Sequence, residues 1–165
     1  MKTPEIAYLS LGSNLGDRAG NLHDAIKRLR ELGAVIAQSS LYETEPVEVG
    51  QQPWFLNCAA ALATDFAPES FLKRVLALEQ SMGRRRAAGK EPRTIDIDIL
   101  FMGGTVVDSP VLTLPHPAIQ NRRFVLAPLA EIAPNLVHPV LQKTVTQLLN
   151  ALSPESGAVR RIQAA

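Results

Sequence analysis

The sequence contains little of what marks several common protein classes. Its 165 residues include a single cysteine, Cys58, which cannot close an internal disulfide and whose apolar neighbours predict a buried side chain. The formal net charge is only +1, which argues against a general binder of polyanions. No apolar run approaches the roughly 20 residues of a membrane-spanning helix. Pro4 and Glu5 stand where a signal peptide would carry its apolar stretch, so we expect a cytoplasmic protein.

The composition is that of an ordinary globular protein. Apolar residues make up 46% of the chain and charged residues 20%, a balance typical of a folded core under a polar surface. The length fits one domain, and no internal repeat, low-complexity segment or linker interrupts it. We therefore expect a single domain over residues 1–165.

Hydrophobic periodicity predicts an alternation of strands and helices. The predicted strands cover residues 6–11, 34–44, 54–64 and 94–102. One helix has Asn21 as its N-cap and ends at Gly33, and a second begins at Pro68 and ends at Gly83. The order strand, helix, strand, strand, helix, strand is that of the ferredoxin-like βαββαβ core, an α+β fold with helices packed on one face of an antiparallel sheet.

Prolines punctuate the last third of the chain, where we predict a hairpin and one helix. Two glycines at residues 103–104 suit a tight hairpin turn from the fourth strand into residues 105–107. A short helix around residues 144–152 follows, and we expect the tail from Ser153 on to be frayed.

Two aspartates interrupt the apolar pattern of the fourth predicted strand. Side chains alternate between the faces of a strand, so Asp96 and Asp98 point one way while Ile95, Ile97 and Ile99 point the other. Neighbouring carboxylates repel each other unless a cation lies between them, and Mg²⁺ takes such oxygen ligands together with substrate phosphates. A metal site is one interpretation of the pair; an exposed face that the aspartates only make soluble is the other.

A basic segment precedes this pair. Residues 83–93 hold four arginines and a lysine against one glutamate, and cations beside a carboxylate pair are what phosphoryl transfer uses. The segment is not a Walker A loop, because Glu91 follows Lys90 where serine or threonine is needed, and because a helix precedes it. The turn at residues 12–16 lacks the dinucleotide fingerprint, which excludes a Rossmann domain. We therefore predict that residues 83–98 handle phosphate.

Two further clusters allow a functional or a structural interpretation. His116 lies between prolines, a few residues before Arg122. Thr44, Phe55 and Asn57 lie at the ends of predicted strands, where a ring and an amide could frame a flat heterocycle. A lone histidine is more often structural, and residues such as the other three more often belong to the core or to turns.

Several blocks of the sequence, in order along the chain, resemble one enzyme family. The blocks are GSNLGD (12–17), SLYETEP (40–46), QPWFLN (52–57), PRTIDID (92–98), LPHP (114–117) and RRFVLAPLAEIAP (122–134). Together with Glu79, Gly83 and Arg84, they resemble the 6-hydroxymethyl-7,8-dihydropterin pyrophosphokinase family over about residues 5–150.

The resemblance implies a reaction and its participants. Members of that family transfer pyrophosphate from ATP to the hydroxymethyl group of 6-hydroxymethyl-7,8-dihydropterin and release AMP, a step of folate biosynthesis. The resemblance implies two Mg²⁺ ions held by Asp96 and Asp98, and catalytic arginines at Arg84 and Arg93. The implied ATP contacts are Glu79, Arg84, Arg86, Arg93, Ile97, His116 and Arg122. The implied pterin contacts are Thr44, Val47, Phe55, Asn57, Asp96 and Phe124, with the two phenylalanines on either side of the ring and Asn57 at its amide edge.

The resemblance has one gap, in the segment before the aspartates. Family members often carry a tryptophan there, in the pattern Arg/Lys-x-Trp-Gly-Pro-Arg, whereas this chain has Lys90 and Glu91 before Pro92 and Arg93. We therefore expect looser closure of this loop and weaker pterin affinity than is usual in the family. The resemblance also implies a monomer. Because the sequence has 165 residues, we expect no fused synthase or aldolase, although association with separate ones stays possible.

Three other interpretations differ in kind. A ferredoxin-like module that binds RNA or another ligand without catalysis is disfavoured by the low net charge and by strands without paired exposed aromatics. A metal-dependent nuclease would use the same aspartates but would hydrolyse nucleic acid without ATP. A catalytically decayed family member is disfavoured because the matched metal and arginine positions are all present. We expect neither a nucleic-acid nor a membrane partner.

Overall fold

The computed structural model describes residues 4–45, 54–83, 94–153 and 157–162. In chain order the elements are β1 (Glu5–Ser13), α1 (Arg18–Leu29), β2 (Ala34–Gln38), β3 (Leu41–Thr44), β4 (Phe55–Thr64), α2 (Pro68–Ser81), β5 (Asp96–Met102), β6 (Val107–Asp108), β7 (Thr113–Leu114), a 3₁₀ turn (Ile119–Asn121), α3 (Arg123–Ile132), α4 (Val145–Asn150) and β8 (Val159–Ile162).

Within the described residues, the main sheet has six strands. Five strands run in the order β5-β1-β4-β3-β8, and β2 pairs with the C-terminal half of β4 while β3 pairs with its N-terminal end. All described pairings in this sheet are antiparallel. The predicted βαββαβ order and antiparallel sheet are therefore confirmed.

Both faces of the sheet pack against helices. α1 and α2 cover one face, where Leu9 and Leu11 of β1 meet Leu22 of α1 and Phe71 of α2. α3 and α4 add a second core on the other face, around Phe101, so the expectation of helices on one face holds only for α1 and α2. Further along the same strands, on this second face, lie the predicted site residues of β4 and β5.

Two local predictions near the first helix differ from the structure. The predicted strand over residues 34–44 is two strands, because the hydroxyl of Ser39 accepts the N–H of Ala59 (2.8 Å) where a continuous strand would offer a backbone carbonyl. The N-cap of α1 is Asp17, whose carboxylate accepts the N–H of Gly20 (3.1 Å), so the prediction of Asn21 is wrong. Aspartate and asparagine cap about equally well, and apolar spacing alone did not separate them.

The predicted hairpin at residues 103–104 is also wrong, although the chain does turn there. β6 pairs with β7 and not with β5. The outer edge of β5 is already occupied, because the carbonyl of Leu100 accepts the N–H of His116 (3.0 Å) and the N–H of Ile97 donates to the carboxylate of Glu79 (2.7 Å). An edge whose polar groups are satisfied does not recruit another strand.

The C-terminal region gives one confirmation and one correction. The helix predicted around residues 144–152 is confirmed as α4, with Thr144 as its N-cap in a capping box with Gln147. Fraying of the tail from Ser153 is wrong for β8, which pairs with β3 and whose Arg160 lies 2.6 Å from the carboxylate of Glu43. The partner of β8 is distant in sequence, so local pattern did not reveal it.

Candidate functional site

The register of the central strands places an aspartate, a glycine and an asparagine in one row. Gly12 of β1 lies opposite Asn57 of β4 on one side and opposite Asp96 of β5 on the other. Directly opposed residues share a face of the sheet, and strands lie about 4.8 Å apart, so Asp96 and Asn57 are separated by about 10 Å across Gly12. Asp98 lies opposite Ser10, two residues along the same face. The structure thus brings the two carboxylates and the amide to one surface.

Asn57 is held in a fixed orientation beside Gly12. Its side chain is buried, and its Nδ2 donates to Oγ1 of Thr44 on β3 (2.5 Å). Its Oδ1 is the nearest neighbour of Gly12: a Cβ added to that glycine would lie 2.6 Å from this oxygen and 3.3 Å from Cδ1 of Phe55. Thr44, Phe55 and Asn57, which sequence analysis grouped at strand ends, therefore lie together on the face that carries the aspartates.

Glu79 supports the strand that carries the aspartates. This carboxylate, on α2, is only 1% exposed and accepts the N–H of Ile97 (2.7 Å), the residue between Asp96 and Asp98. The side chain of Ile97 is buried in the core under α1 and α2. Any contact from Ile97 to ATP would therefore use its backbone, and the ATP contacts of both residues stay predictions.

His116 lies within electrostatic reach of two other site residues. Its Nδ1 accepts the N–H of Ala118 (3.2 Å), which leaves the ring proton on Nε2 in the neutral form. Burial lowers the pKa of His116, the charge of Arg122 lowers it further, and the charge of Asp96 opposes both. A cation and a carboxylate therefore both lie within electrostatic range of the imidazole, and burial together with Arg122 favours its neutral form.

The residues at the beginning of α3 also belong to this surface. Arg122 directly precedes the helix, and its guanidinium carbon lies 5.6 Å from the centre of the Phe124 ring. That distance is within the range of a cation–π contact. The structure therefore groups Phe124 with Arg122; the sandwich of Phe124 and Phe55 around a ring stays a prediction.

Several predicted site residues lie outside the described part of the chain. They are Val47, Arg84, Arg86 and Arg93, together with Lys90 and Glu91 of the altered family pattern. Their predicted contacts with pterin and ATP, and the expected effect of the missing tryptophan, stay predictions.

Asp96 and Asp98 fit a Mg²⁺ site that the substrate completes. Within residues 4–45, 54–83, 94–153 and 157–162, no three His, Cys, Asp or Glu side chains gather into a group that could hold a metal ion. Mg²⁺ usually takes one or two carboxylates and fills its other positions with water and phosphate oxygens. Two half-buried carboxylates on one face of a strand supply that number.

Sequence analysis missed Gly12 as an individual site residue. The prediction of a turn over residues 12–16 is wrong at Gly12, which is a strand residue paired on both sides. A glycine inside a strand pattern signals a close approach by another group, and here that group is the amide of Asn57. The φ angle of Gly12 is not positive, so its backbone conformation does not require glycine. The requirement comes from the lack of space for a side chain.

Comparison with known proteins identifies the family. Residues 8–134 match the family described as 7,8-dihydro-6-hydroxymethylpterin-pyrophosphokinase (HPPK). The chain belongs to this family. The HPPK resemblance drawn from the sequence blocks is therefore confirmed.

The curated relatives include one about as long as this chain and others several times longer. The chain is 43% identical over 150 residues to 2-amino-4-hydroxy-6-hydroxymethyldihydropteridine pyrophosphokinase of Methylorubrum extorquens, covering 90% of this chain and 94% of that one. It is 39% identical over 157 residues to the folic acid synthesis protein FOL1 of Dictyostelium discoideum, covering 95% of this chain but 24% of that one. The match to fol1 of Schizosaccharomyces pombe, at 41% identity, covers 21% of that protein. The chain thus spans about a quarter of the length of the larger relatives.

Solved HPPK structures share the fold. A crystal structure of wild-type Plasmodium falciparum HPPK-DHPS with pteroate superposes with a TM-score of 0.74 at 19% identity, over 91% of this chain and 43% of that one. At this identity the likeness concerns the fold alone, and it confirms the predicted fold class. Among the described helices, none is long and apolar enough to cross a membrane.

Proposed function

We propose that this HPPK-family chain transfers the pyrophosphoryl group of ATP to the hydroxymethyl group of 6-hydroxymethyl-7,8-dihydropterin and releases AMP. It is a transferase of folate biosynthesis, an ATP-dependent pyrophosphokinase. Family membership supplies the reaction. The structural observation that supports it most is the row of Asp96, Gly12 and Asn57, because it places a carboxylate for phosphate chemistry and an amide suited to a heterocycle on one face of the sheet, with only β1 between their strands.

The reaction is a displacement at the β-phosphorus of ATP. The hydroxymethyl oxygen of the pterin forms the new bond, the bond from the α,β-bridging oxygen to the β-phosphorus breaks, and AMP departs with that oxygen. The hydroxyl proton leaves to solvent or to a basic group. Asp96 and Asp98 would hold the Mg²⁺, two ions in our proposal, and the bound metal would neutralise charge on the phosphate oxygens.

The remaining side chains are proposed to position the two substrates and to stabilise the charge of the phosphates. Arg122, whose charge acts on His116, is proposed to lie on the ATP side, where its cation would offset phosphate charge. Arg84 and Arg93, outside the described residues, are proposed to grip the triphosphate. On the pterin side, Asn57 has Oδ1 and one N–H left after its bond to Thr44, which suits a ring edge that presents both a donor and an acceptor.

The test is product identification by chromatography after incubation with ATP, Mg²⁺ and the pterin. We expect AMP only when the pterin is present. Asp96→Asn should lower the rate roughly a hundredfold or more, whereas the matched variant Asp108→Asn, on the exposed β6, should leave it unchanged. ADP as the product, or AMP without pterin, would contradict the proposal. Equal rates for the Asp96→Asn variant and the wild type would contradict the proposed metal-binding role of Asp96.

Two finer expectations accompany this function. We propose that the chain acts as a monomer, which sedimentation would check. The absence of tryptophan at Lys90 is expected to loosen loop closure and weaken pterin binding; closure equal to that of tryptophan-containing family members in the ternary complex would contradict this.

A further inference from the structure

A guanidinium outside the predicted site joins two strands that carry site residues. Arg18 is the first residue of α1, and its NH2 donates to Oε2 of Glu43 on β3 (3.1 Å). Its NH1 donates to the carbonyl of Trp54, the residue before β4 (2.8 Å). The planar fork of an arginine suits such a double contact, because two donors are held at a fixed spacing.

The two residues that Arg18 holds, Glu43 and Trp54, are the chain neighbours of Thr44 and Phe55. β3 and β4 are paired at only three positions, and the pair of Thr44 with Phe55 is the last before the described chain ends at residue 45 and resumes at residue 54. Glu43 lies opposite Leu56, which is buried under α1 and α2. Since side chains alternate, Thr44 and Phe55 project to the other face, beside Asn57.

The Arg18–Glu43 contact is better sheltered than its neighbours. Side chains of Arg18 and Glu43 are 31% and 18% exposed, whereas Arg160, which also binds Glu43, is 73% exposed. The hydrogen bond from Arg18 is the largest cause of the lowered pKa of Glu43; burial opposes it and Arg160 adds to it. Partly buried ion pairs are screened less by water and salt than exposed ones.

We propose that Arg18 is a positioning residue for the pterin side of the site. By tying Glu43 to the carbonyl of Trp54, it fixes the spacing of the last pair of β3 and β4, and with it the placement of Thr44 and Phe55 on the opposite face. Thr44 in turn orients the amide of Asn57. The inference rests on the proposed function, because it assigns Arg18 to one of the two substrates.

Different effects on the KM values of the two substrates distinguish this role from a general contribution to stability. Arg18→Gln removes the charge and the fork, and should raise the KM for the pterin roughly tenfold or more, since small displacements of positioning groups have large effects. The KM for ATP should change less than twofold. Arg18→Lys keeps the charge and one contact, and should fall between Arg18→Gln and the wild type.

The matched control is Arg28→Gln on the same helix. Arg28 forms an exposed ion pair with Asp24 (3.2 Å) and contacts Ser81, away from β3 and β4. This variant should leave both KM values unchanged. Melting curves of all variants should establish that each is folded at the assay temperature; pterin binding in the presence of a non-hydrolysable ATP analogue gives a second readout that needs no turnover.

Each outcome decides the inference. A selective rise in the pterin KM with Arg18→Gln supports it. Equal rises for pterin and ATP, or a lower melting temperature with both KM values unchanged, would overturn it and leave Arg18 a structural residue. A wild-type chain that neither binds the pterin nor forms AMP would overturn the proposed function as well, whereas an active wild type with an unaffected Arg18→Gln variant overturns only this inference.

Discussion

Gly12, which has no side chain, lies between the aspartate side and the asparagine side of the candidate site. Across β1, Asp96 lies on one side and Asn57 on the other, and the Asn57 oxygen fills the space that a side chain would need. The bond from Asn57 to Thr44 keeps the amide from swinging away. A residue without a side chain is therefore as specific a requirement here as the charged residues beside it.

Gly12→Ala should weaken pterin binding. The added Cβ would stand 2.6 Å from Oδ1 of Asn57, so the amide must move and its bond to Thr44 must weaken. Overpacking of this kind costs about 1–3 kcal/mol of stability, and we expect the pterin Kd to rise roughly tenfold. Isothermal titration and urea unfolding would measure the two effects.

The control for this variant is Gly104→Ala. No atom lies within 4 Å of a Cβ added there, and the φ of Gly104 is not positive. This change should alter neither stability nor pterin binding. An unchanged pterin Kd in Gly12→Ala would show that the space over Gly12 is not part of the site.

At the residue scale, strand alternation was enough to predict that Asp96 and Asp98 share a face. Alternation could not predict the contacts of Gly12 and Arg18, because the residues they contact, Asn57 and Glu43, are distant in sequence. Family resemblance predicts Glu79 as an ATP contact, whereas its hydrogen bond from the N–H of Ile97, between the aspartates, is apparent only from the structure.

β8 is the element whose contribution sequence periodicity could not reveal. Its four residues add a strand beyond β3, and its arginines reach Glu43 (2.6 Å) and Glu131 (3.8 Å). Glu131 of α3 also accepts the hydroxyl of Tyr42 on β3 (2.6 Å). The strand that carries Thr44 is thus held from both sides, by β4 and by the C-terminal segment.

Removal of residues 157–165 should destabilise the chain more than the loss of one arginine. The truncation eliminates the backbone pairing with β3 and both ion pairs, and we expect the free energy of unfolding to fall by about 2 kcal/mol. Arg160→Ala removes only a highly exposed partner and should cost less than about 1 kcal/mol. Equal losses in urea unfolding would mean that the side chain, and not the strand, provides the stabilisation.

Sequence pattern predicted the long elements well and the short ones poorly. α2 begins at Pro68, as predicted, and most of the apolar residues of β1, β4 and β5 are buried. The break at Ser39 and the placement of β8 depend on hydrogen bonds to distant strands. Local propensity contains no information about such partners.

The whole molecule divides its sheet between two tasks. One face is a continuous core under α1 and α2, while the other is partly core under α3 and α4 and partly the candidate site. The site therefore lies on strands whose opposite sides are fully packed. We predict that residues 1–165 fold as one domain, in a family whose larger members are about four times longer than the matched region.

Acid should destabilise the folded chain through carboxylates that join its parts. Burial alone would raise the pKa of Glu131, but hydrogen bonds from Tyr42 and Ser40 outweigh it and hold that pKa below its ordinary 4.5. A carboxylate with a lowered folded pKa contributes stability above its unfolded pKa, and this contribution is lost as the pH falls through the folded pKa. Stability should therefore decrease below about pH 4.5.

Urea unfolding between pH 7 and pH 3 measures this effect. Glu131→Gln should be less stable than the wild type at pH 7 and should lose less on acidification, because it lacks the titrating group. Asp24→Asn, which removes an exposed helical ion pair, serves as the control and should retain the wild-type slope. Parallel pH profiles for wild type and Glu131→Gln would exclude Glu131 as a source of the acid sensitivity.

The alternation of aspartate and isoleucine along β5 has a consequence for the uniformity of a protein sample. A shift of β5 by one residue against β1 would expose Ile95, Ile97 and Ile99, each at most 5% exposed, and bury the aspartates. Exposing each isoleucine costs about 1.5–3 kcal/mol, so such a misaligned population would be negligible. Active-site titration should then count as many competent sites as there are folded molecules, and a lower count would point to damaged chains and not to a second conformation of the sheet.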